Sequence, residues 1–599
     1  MRPLAPASSP CFSTLRCILV VTALATQWHP LTCTAEERSS LSKILESLKD
    51  SVEPNSPEGK SPGITDPLRE MQSEAMRQQK ADWGHWGVQS NKYSTWTNHS
   101  NRLVPLYSFG MTLSPLRERG SFYSDTERMT KHFGGVPAGT LNPVANYHDQ
   151  IDVYELQRMA ADQGKRHIIL MVFDGMDWQT SRSAAIYRNR ADLYDSGRGR
   201  GLAIQDYRGV ATDFVFIGTT PRLGGAKFDV NSQTVTDGNK PVEGGFDPKF
   251  AGPMPWHERT PTAYPIGQDR EQPHRFTDSA SSATSLMAGI KTYNGAIGVA
   301  TDGSHAVSIG RQLQTEGYRI GVVTNVPVSH ATPGSGYANN VSRGDYQDIA
   351  RDMIGRPSSS HRHTPLPGVD VLIGGGWGEG LGGDGGQGEN FMPGNKYLHE
   401  SDLNAVRLKP GETDPSRRKY VVAERTRGRS GAEVLAEAAT RAIATGDRLL
   451  GYFGTKGGHL PFQTADGKFN PTFDVKGTER YTAEDIAENP TLAQMTTTAL
   501  QVLSAPTPEQ KQKTSADEKT MSPFWMLIEA GDVDWANHAN NIDNSIGAVL
   551  SGDDAFRAIT RWAEENDAWD DTVVFVTSDH GHFFILEDPQ AIAAANVSE

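Results

Sequence analysis

Cysteine is almost missing: the chain has three in 599 residues, Cys11, Cys17 and Cys33, and none after position 33. A disulfide framework is therefore excluded for the body of the protein, and so are thiolate-based metal sites. Any metal would have to be held by carboxylates, imidazoles and hydroxyls. Excess positive charge is also missing, since the formal net charge is −14 and the pI is near 5.7. That balance excludes a nucleic-acid scaffold, and a small anionic substrate would need local positive charge from a metal or a placed arginine. Long apolar runs are absent too, and no stretch is predicted to span a membrane.

The front of the chain carries Arg2 and Arg16, an apolar stretch from Cys17 to Leu24, and an A-x-A pattern at Ala23 and Ala25. Residues 1–35 read as a secretory signal peptide cleaved after Ala25 or Ala35, which predicts a secreted or periplasmic protein. No small residue stands before Cys33, so a lipid anchor is not expected. Residues 36–164 are polar and irregular and read as an amino-terminal extension that wraps or decorates the main body.

The pattern changes at about residue 165. Short, nearly continuous apolar runs occur at 168–173, 319–324, 369–374, 448–453, 524–529 and 572–577. Such runs fit strands buried on both faces. Apolar residues at helical spacing lie between them at 431–445, 491–504 and 553–567. Alternation of this kind predicts an α/β fold, a central and mainly parallel sheet with helices on both faces. Sixty glycines and thirty-five prolines, concentrated at 200–275 and 355–420, mark loop insertions in that fold.

In an open α/β sheet, ligands bind beyond the carboxyl ends of the strands. Asp174 follows the run at 168–173; His330 and Thr332 follow the run at 319–324; Glu529, Asp534 and His538 follow the run at 524–529; Asp579, His580 and His582 follow the run at 572–577. One aspartate after a strand is an ordinary helix cap or turn former. Recurrence at four strand ends points instead to a metal centre. Carboxylate with imidazole suits zinc, and carboxylate with hydroxyl suits magnesium. Two metals roughly 4 Å apart can serve the attacking and the leaving oxygen of a phosphoryl transfer. In "TDSASSAT", Ser279 follows Asp278 at the start of a predicted helix, where backbone N–H groups favour an anion; simple helix capping is the alternative. His361 and His363 fall in a loop-type sequence and read as solvated.

"TDSASSAT" resembles the nucleophile signature of alkaline phosphatases. The resemblance extends through "VFDGMD", "SHATPGSGYANNVSR", "PTLAQMT", "EAGDVDWANH" and "TSDHGH", from about residue 168 to 582. It implies hydrolysis of small phosphate monoesters with two zinc ions and one magnesium, by an enzyme that forms a homodimer. It further implies that Ser279 becomes a phosphoserine and Arg343 grips the phosphate. Asp174, Asp579 and His580 would hold one zinc, Asp534 and His538 the other, and Asp174, Thr332 and Glu529 the magnesium. His330, Asp278 and His582 would act behind these ligands. The family's second zinc takes one more histidine, well downstream of the "DHGH" block. Only seventeen residues follow His582 here, and none is histidine. Residues 165–599 are accordingly expected to form a catalytic domain incomplete at its carboxyl end, unless His459 or His582 substitutes. A phosphodiesterase or sulfatase on the same scaffold, or a phosphate- or metal-binding protein with little turnover, are the alternatives.

Overall fold

The computed structural model describes residues 66–596 apart from 98, 223–225, 237–242, 246, 248–253, 257–275, 410–418 and 508–520. The predicted signal peptide lies outside the described residues. No helix among the described residues is long and apolar enough to cross a membrane.

A ten-stranded sheet organises the chain. In sequence its strands are β1 (Leu103–Phe109), β2 (His148–Asp149), β3 (His167–Phe173), β4 (Ala211–Phe216), β5 (Arg319–Pro327), β6 (Val371–Gly375), β7 (Tyr420–Glu424), β8 (Arg448–Tyr452), β9 (Phe524–Ala530) and β10 (Thr572–Ser578). Their order across the sheet is β7-β8-β6-β5-β9-β3-β10-β1-β4-β2. Every pairing is parallel except the two made by β1, which runs against both β10 and β4. All six apolar runs became parallel strands, and the mainly parallel sheet is the one expected.

Alternation explains the layers. β3 sends Ile169, Met171 and Phe173 to one face and Ile168, Leu170 and Val172 to the other, and β9 divides Met526 and Ile528 from Trp525 and Leu527. Successive strand side chains point to opposite faces, so a continuous apolar run needs cover on both. One face is covered by α7 (Gly431–Thr445), α8 (Leu492–Ser504) and α10 (Ile542–Glu565). The other is covered by α2 (Gln150–Asp162), α4 (Ser279–Ala288) and α6 (Tyr346–Ile354).

Residues 66–164 are not a decoration. They supply β1, β2 and α2, and the short strand Gly84–Trp86 pairs with Phe584–Leu586. Burial is the physical reason: all seven residues of β1 are buried between β10 and β4. The 200–275 insertion likewise contributes β4.

Candidate active site

Register brings the functional residues to one level. Phe173 pairs with both Ala530 and Ser578, and Glu529 pairs with Thr324. Asp174, Glu529 and Asp579 therefore sit together at the carboxyl ends of three adjacent strands. Gly175 lets β3 end in this crowd: its φ is +74°, and a Cβ there would lie 2.9 Å from the His582 ring. Its N–H donates to Asp579 Oδ1 at 2.9 Å.

Ser279 is the first residue of α4, after Asp278 as N-cap, and it is 2 % exposed. Its Oγ lies 3.2 Å from His580 Nε2. The same imidazole nitrogen is 3.2 Å from Asp174 Oδ1 and 3.3 Å from Asp579 Oδ2. Arg343 Nη1 donates to Asp278 Oδ2 at 3.0 Å, which orients the guanidinium toward the start of α4. Gln150, at the start of α2, ties the two halves of this arrangement. Its Nε2 donates to Ser282 Oγ and to the Asp579 carbonyl, each at 2.6 Å.

Among the described residues, two groups of ligand-type side chains have their donor atoms within 4.8 Å of one another: Asp174, Asp534 and His580; and His99, Asp534, His538 and His582. Asp534, on α9 (Asp532–His538), is common to both. His99 was not anticipated. It stands just before β1, and its Nε2 is 3.1 Å from His538 Nε2 and 3.4 Å from Asp534 Oδ1. His99 thus adds an imidazole to this group from upstream of β1. His459 does not substitute for it, because its Nε2 pairs with Glu479 at 3.2 Å and its Nδ1 donates to the Leu460 carbonyl.

Hydrogen bonding separates the roles of these histidines. His99 Nδ1 donates to the Thr277 carbonyl at 3.0 Å and His538 Nδ1 to the Thr97 carbonyl. The two Nε2 atoms then face each other beside the Asp534 carboxylate, which raises His99 against the effect of burial, and a bound cation would take the place of that imidazole's proton. His582 differs: its Nε2 sits 2.7 Å from Asp534 Oδ1, a contact that orients the carboxylate.

The charges fit cations as well. Burial, then the Asp534 carboxylate, pushes Asp174 up to about 7. Burial and the Asp174 charge hold Asp579 and Glu529 well above the usual carboxylate range. Burial acts in the same direction on Asp534, but His538, His582 and His99 outweigh it and hold that group well below the range. Burial, then the neighbouring His99, lowers His580. Asp174 Oδ1, Asp579 Oδ2 and Thr332 Oγ1 are buried without a hydrogen-bond partner of good geometry among the described residues. Glu529 accepts from the Thr324 hydroxyl. Concentrated carboxylate with unpartnered oxygen is the signature of a site built for divalent ions.

His330 is absent from both groups. It packs among rings, and burial with Arg343 and Lys396 lowers it to about 3. Phe276, beside the serine signature, meets the rings of Trp96 and His99 edge-on at 6.2 and 6.0 Å. His361 pairs with Asp352 at 3.0 Å, away from the cluster.

The family model described as alkaline phosphatase matches residues 261–387 and 444–596, just under half of the chain. His99 lies outside both segments. Alkaline phosphatase 3 of Bacillus subtilis is 27% identical over 329 residues, covering 53% of this chain and 54% of its own length. The alkaline phosphatase of Gadus morhua is 26% identical over 329 residues, covering 52% and 58%. The chain thus spans about half the length of these curated relatives. The solved alkaline phosphatase of Thermus thermophilus is 21% identical, with a TM-score of 0.38 over 70% of this chain and 62% of its own. The matched segments contain Ser279, Arg343's loop and the Glu529–His582 cluster, and across them the chain is similar to alkaline phosphatases.

Proposed function

We propose that the protein hydrolyses phosphate monoesters through a phosphoserine on Ser279. The observation that carries this reading is Ser279 Oγ, 3.2 Å from His580 Nε2, at the edge of the Asp174, Asp534 and His580 group. A buried serine at a helix N-terminus faces backbone N–H groups and the positive end of the helix dipole, which favour a phosphate there. Arg343, fixed through Asp278, presents planar donors to the same oxyanion.

In the first half-reaction an Oγ–P bond forms, the ester P–O bond breaks, and the proton lost from the Ser279 hydroxyl ends on the leaving oxygen, which departs as alcohol. In the second, a water oxygen attacks phosphorus, the Oγ–P bond breaks, a water proton returns to Oγ and inorganic phosphate departs. Asp174, Asp579 and His580 would hold one zinc, Asp534, His538 and His99 the second, and Asp174, Thr332 and Glu529 a magnesium. When bound, these ions supply Lewis acidity to the attacking and leaving oxygens. His582 keeps Asp534 ionised and oriented, and Gln150 holds the nucleophile helix against Asp579.

The test is phosphate release from an aryl phosphate monoester with zinc and magnesium present, together with intact-mass detection of a phosphorylated chain after acid quench. Ser279→Ala abolishes both. Normal turnover by Ser279→Ala would sink the serine mechanism, and faster turnover of a diester or sulfate ester would move the chain to the related chemistry.

A further inference from the structure

Beside this site runs a chain of rings that the chemistry above does not use. His330 stacks on Tyr346 with centroids 5.5 Å apart and planes at 20°. On its other side it meets Trp535 at 5.4 Å, and Trp535 meets Phe462 at 5.9 Å. All four rings are half-buried. Two buried rings back them: Tyr397, 5.0 Å from Tyr346, and His459, stacked on Phe462 at 4.2 Å. The Lys396 ammonium lies 5.2 Å over Tyr346 and 5.1 Å over Tyr397.

Sequence sets three of these rings next to residues of the candidate site. His330 is two residues before Thr332, Trp535 directly follows Asp534, and Tyr346 is three residues after Arg343. A core cluster would be fully covered, and an ordinary rim of a charged cleft would be polar. Rings that keep part of their surface in water beside a polar site mark a recognition surface. A flat π-system gains from such a wall through stacking and edge contacts, whereas glycerol or a short alkyl chain gains little.

We infer that this wall makes the site selective for phosphate monoesters whose alcohol carries a planar aromatic group, held against Trp535 and Phe462 while the phosphate lies between Ser279 and Arg343. This rests on the monoesterase reading. The shared chemistry is the ring, whether a nucleobase or a phenyl group.

The test compares kcat/KM of the metal-loaded full chain for four primary alkyl esters with similar leaving groups: adenosine 5′-monophosphate, 2-phenylethyl phosphate, glycerol 1-phosphate and butyl phosphate. A preference of roughly tenfold for the aromatic esters is expected, the scale of about 1.4 kcal/mol of stacking. Preference for both, or for either alone, supports the inference and names the ring. In Phe462→Leu and in Tyr346→Leu, read separately so that one misfolded variant does not decide the matter, the aromatic-to-aliphatic ratio falls toward one. Equal kcat/KM for all four esters, or a ratio unchanged in both folded variants, overturns the inference and leaves the monoesterase reading intact. Turnover of none of the four defeats that reading, and the inference falls with it.

Discussion

The imidazole of His99 lies parallel to that of His580, with ring centroids 3.7 Å apart and planes inclined by 20°. The two residues stand near opposite ends of the described chain, and β1 and β10 bring them together. Ser100 and Gly581 exchange backbone hydrogen bonds at 2.8 and 3.2 Å, which locks the two turns face to face. His99 Nδ1 and Asn101 Oδ1 also bond Thr277, two residues before the serine. One short segment therefore fixes the nucleophile's turn and adds a ligand-type nitrogen beside Asp534.

His99→Ala is expected to lose one zinc equivalent and to lower steady-state kcat by at least about tenfold, while the first, stoichiometric release of alcohol persists. His582→Ala keeps the equivalent but weakens zinc affinity by roughly 10–100-fold, as loss of a supporting hydrogen bond does. Atomic absorption on dialysed protein and a rapid-quench burst separate the two. Full zinc content and normal turnover in His99→Ala would remove His99 from the metal site.

Gln150→Leu tests positioning. The side chain is fully buried and its two bonds join α4 to the Asp579 turn. Its replacement lowers kcat, by about tenfold on the scale of one misplaced contact, with zinc content unchanged and KM moving less. Stability falls by roughly 1–3 kcal/mol from the lost buried hydrogen bonds. If urea unfolding shifts and kcat does not, Gln150 is structural alone.

Six of the ten sheet strands were legible because their apolar runs are continuous. Four were not, each for a local reason. β1 contains Pro105, which argues against an interior strand; β2 is two residues long; β4 carries Asp213 and Thr212; and β7 is a five-residue strand that begins only where the Gly/Pro-rich insertion ends. The candidate site was legible wherever a clustered side chain follows a strand. His99 precedes one, and only the antiparallel direction of β1, with Tyr107 opposite Val576, carries the start of that strand to the end of the sheet where the others finish. An isolated histidine ahead of "LVPLYSF" held no signal until that direction was known.

Asp345 supplies a pH dependence away from the ligands. Burial, then the Asp348 carboxylate, pushes it up to about 8 from 3.8, against a 2.8 Å hydrogen bond donated by Asn340. Between those values the folded chain holds a proton that the unfolded chain has lost, so stability is fully present below about pH 4 and declines as pH rises toward 8. Asp345→Asn mimics the protonated form. Urea unfolding at about pH 3, below the unfolded-state value, should show little difference between the two proteins, whereas at pH 9 the variant should be more stable, by an amount on the order of a few kcal/mol. The same difference at both pH values would show that Asp345 does not titrate in this window.

Metal loading should release protons. Asp174, Asp579 and Glu529 are each held above the usual range by burial and by mutual repulsion, so at pH 6 the metal-free cluster carries protons that ligation must displace. His538, His580 and His582 contribute little, because burial already lowers them, whereas His99, which burial lowers but the Asp534 carboxylate raises by more, adds to the protons displaced. Adding zinc to chelator-treated protein in a pH-stat at pH 6 is therefore expected to release about one proton or more per chain, and fewer as the pH is raised through the region near 7 where Asp174 ionises. Thermal unfolding of the chelated protein should begin at lower temperature above that pH than below it, since the ionised carboxylates then repel one another without a cation between them. Zinc uptake at pH 6 without proton release would mean that the carboxylates are already ionised in the metal-free protein, and that Arg343 and the surrounding N–H groups balance them unaided.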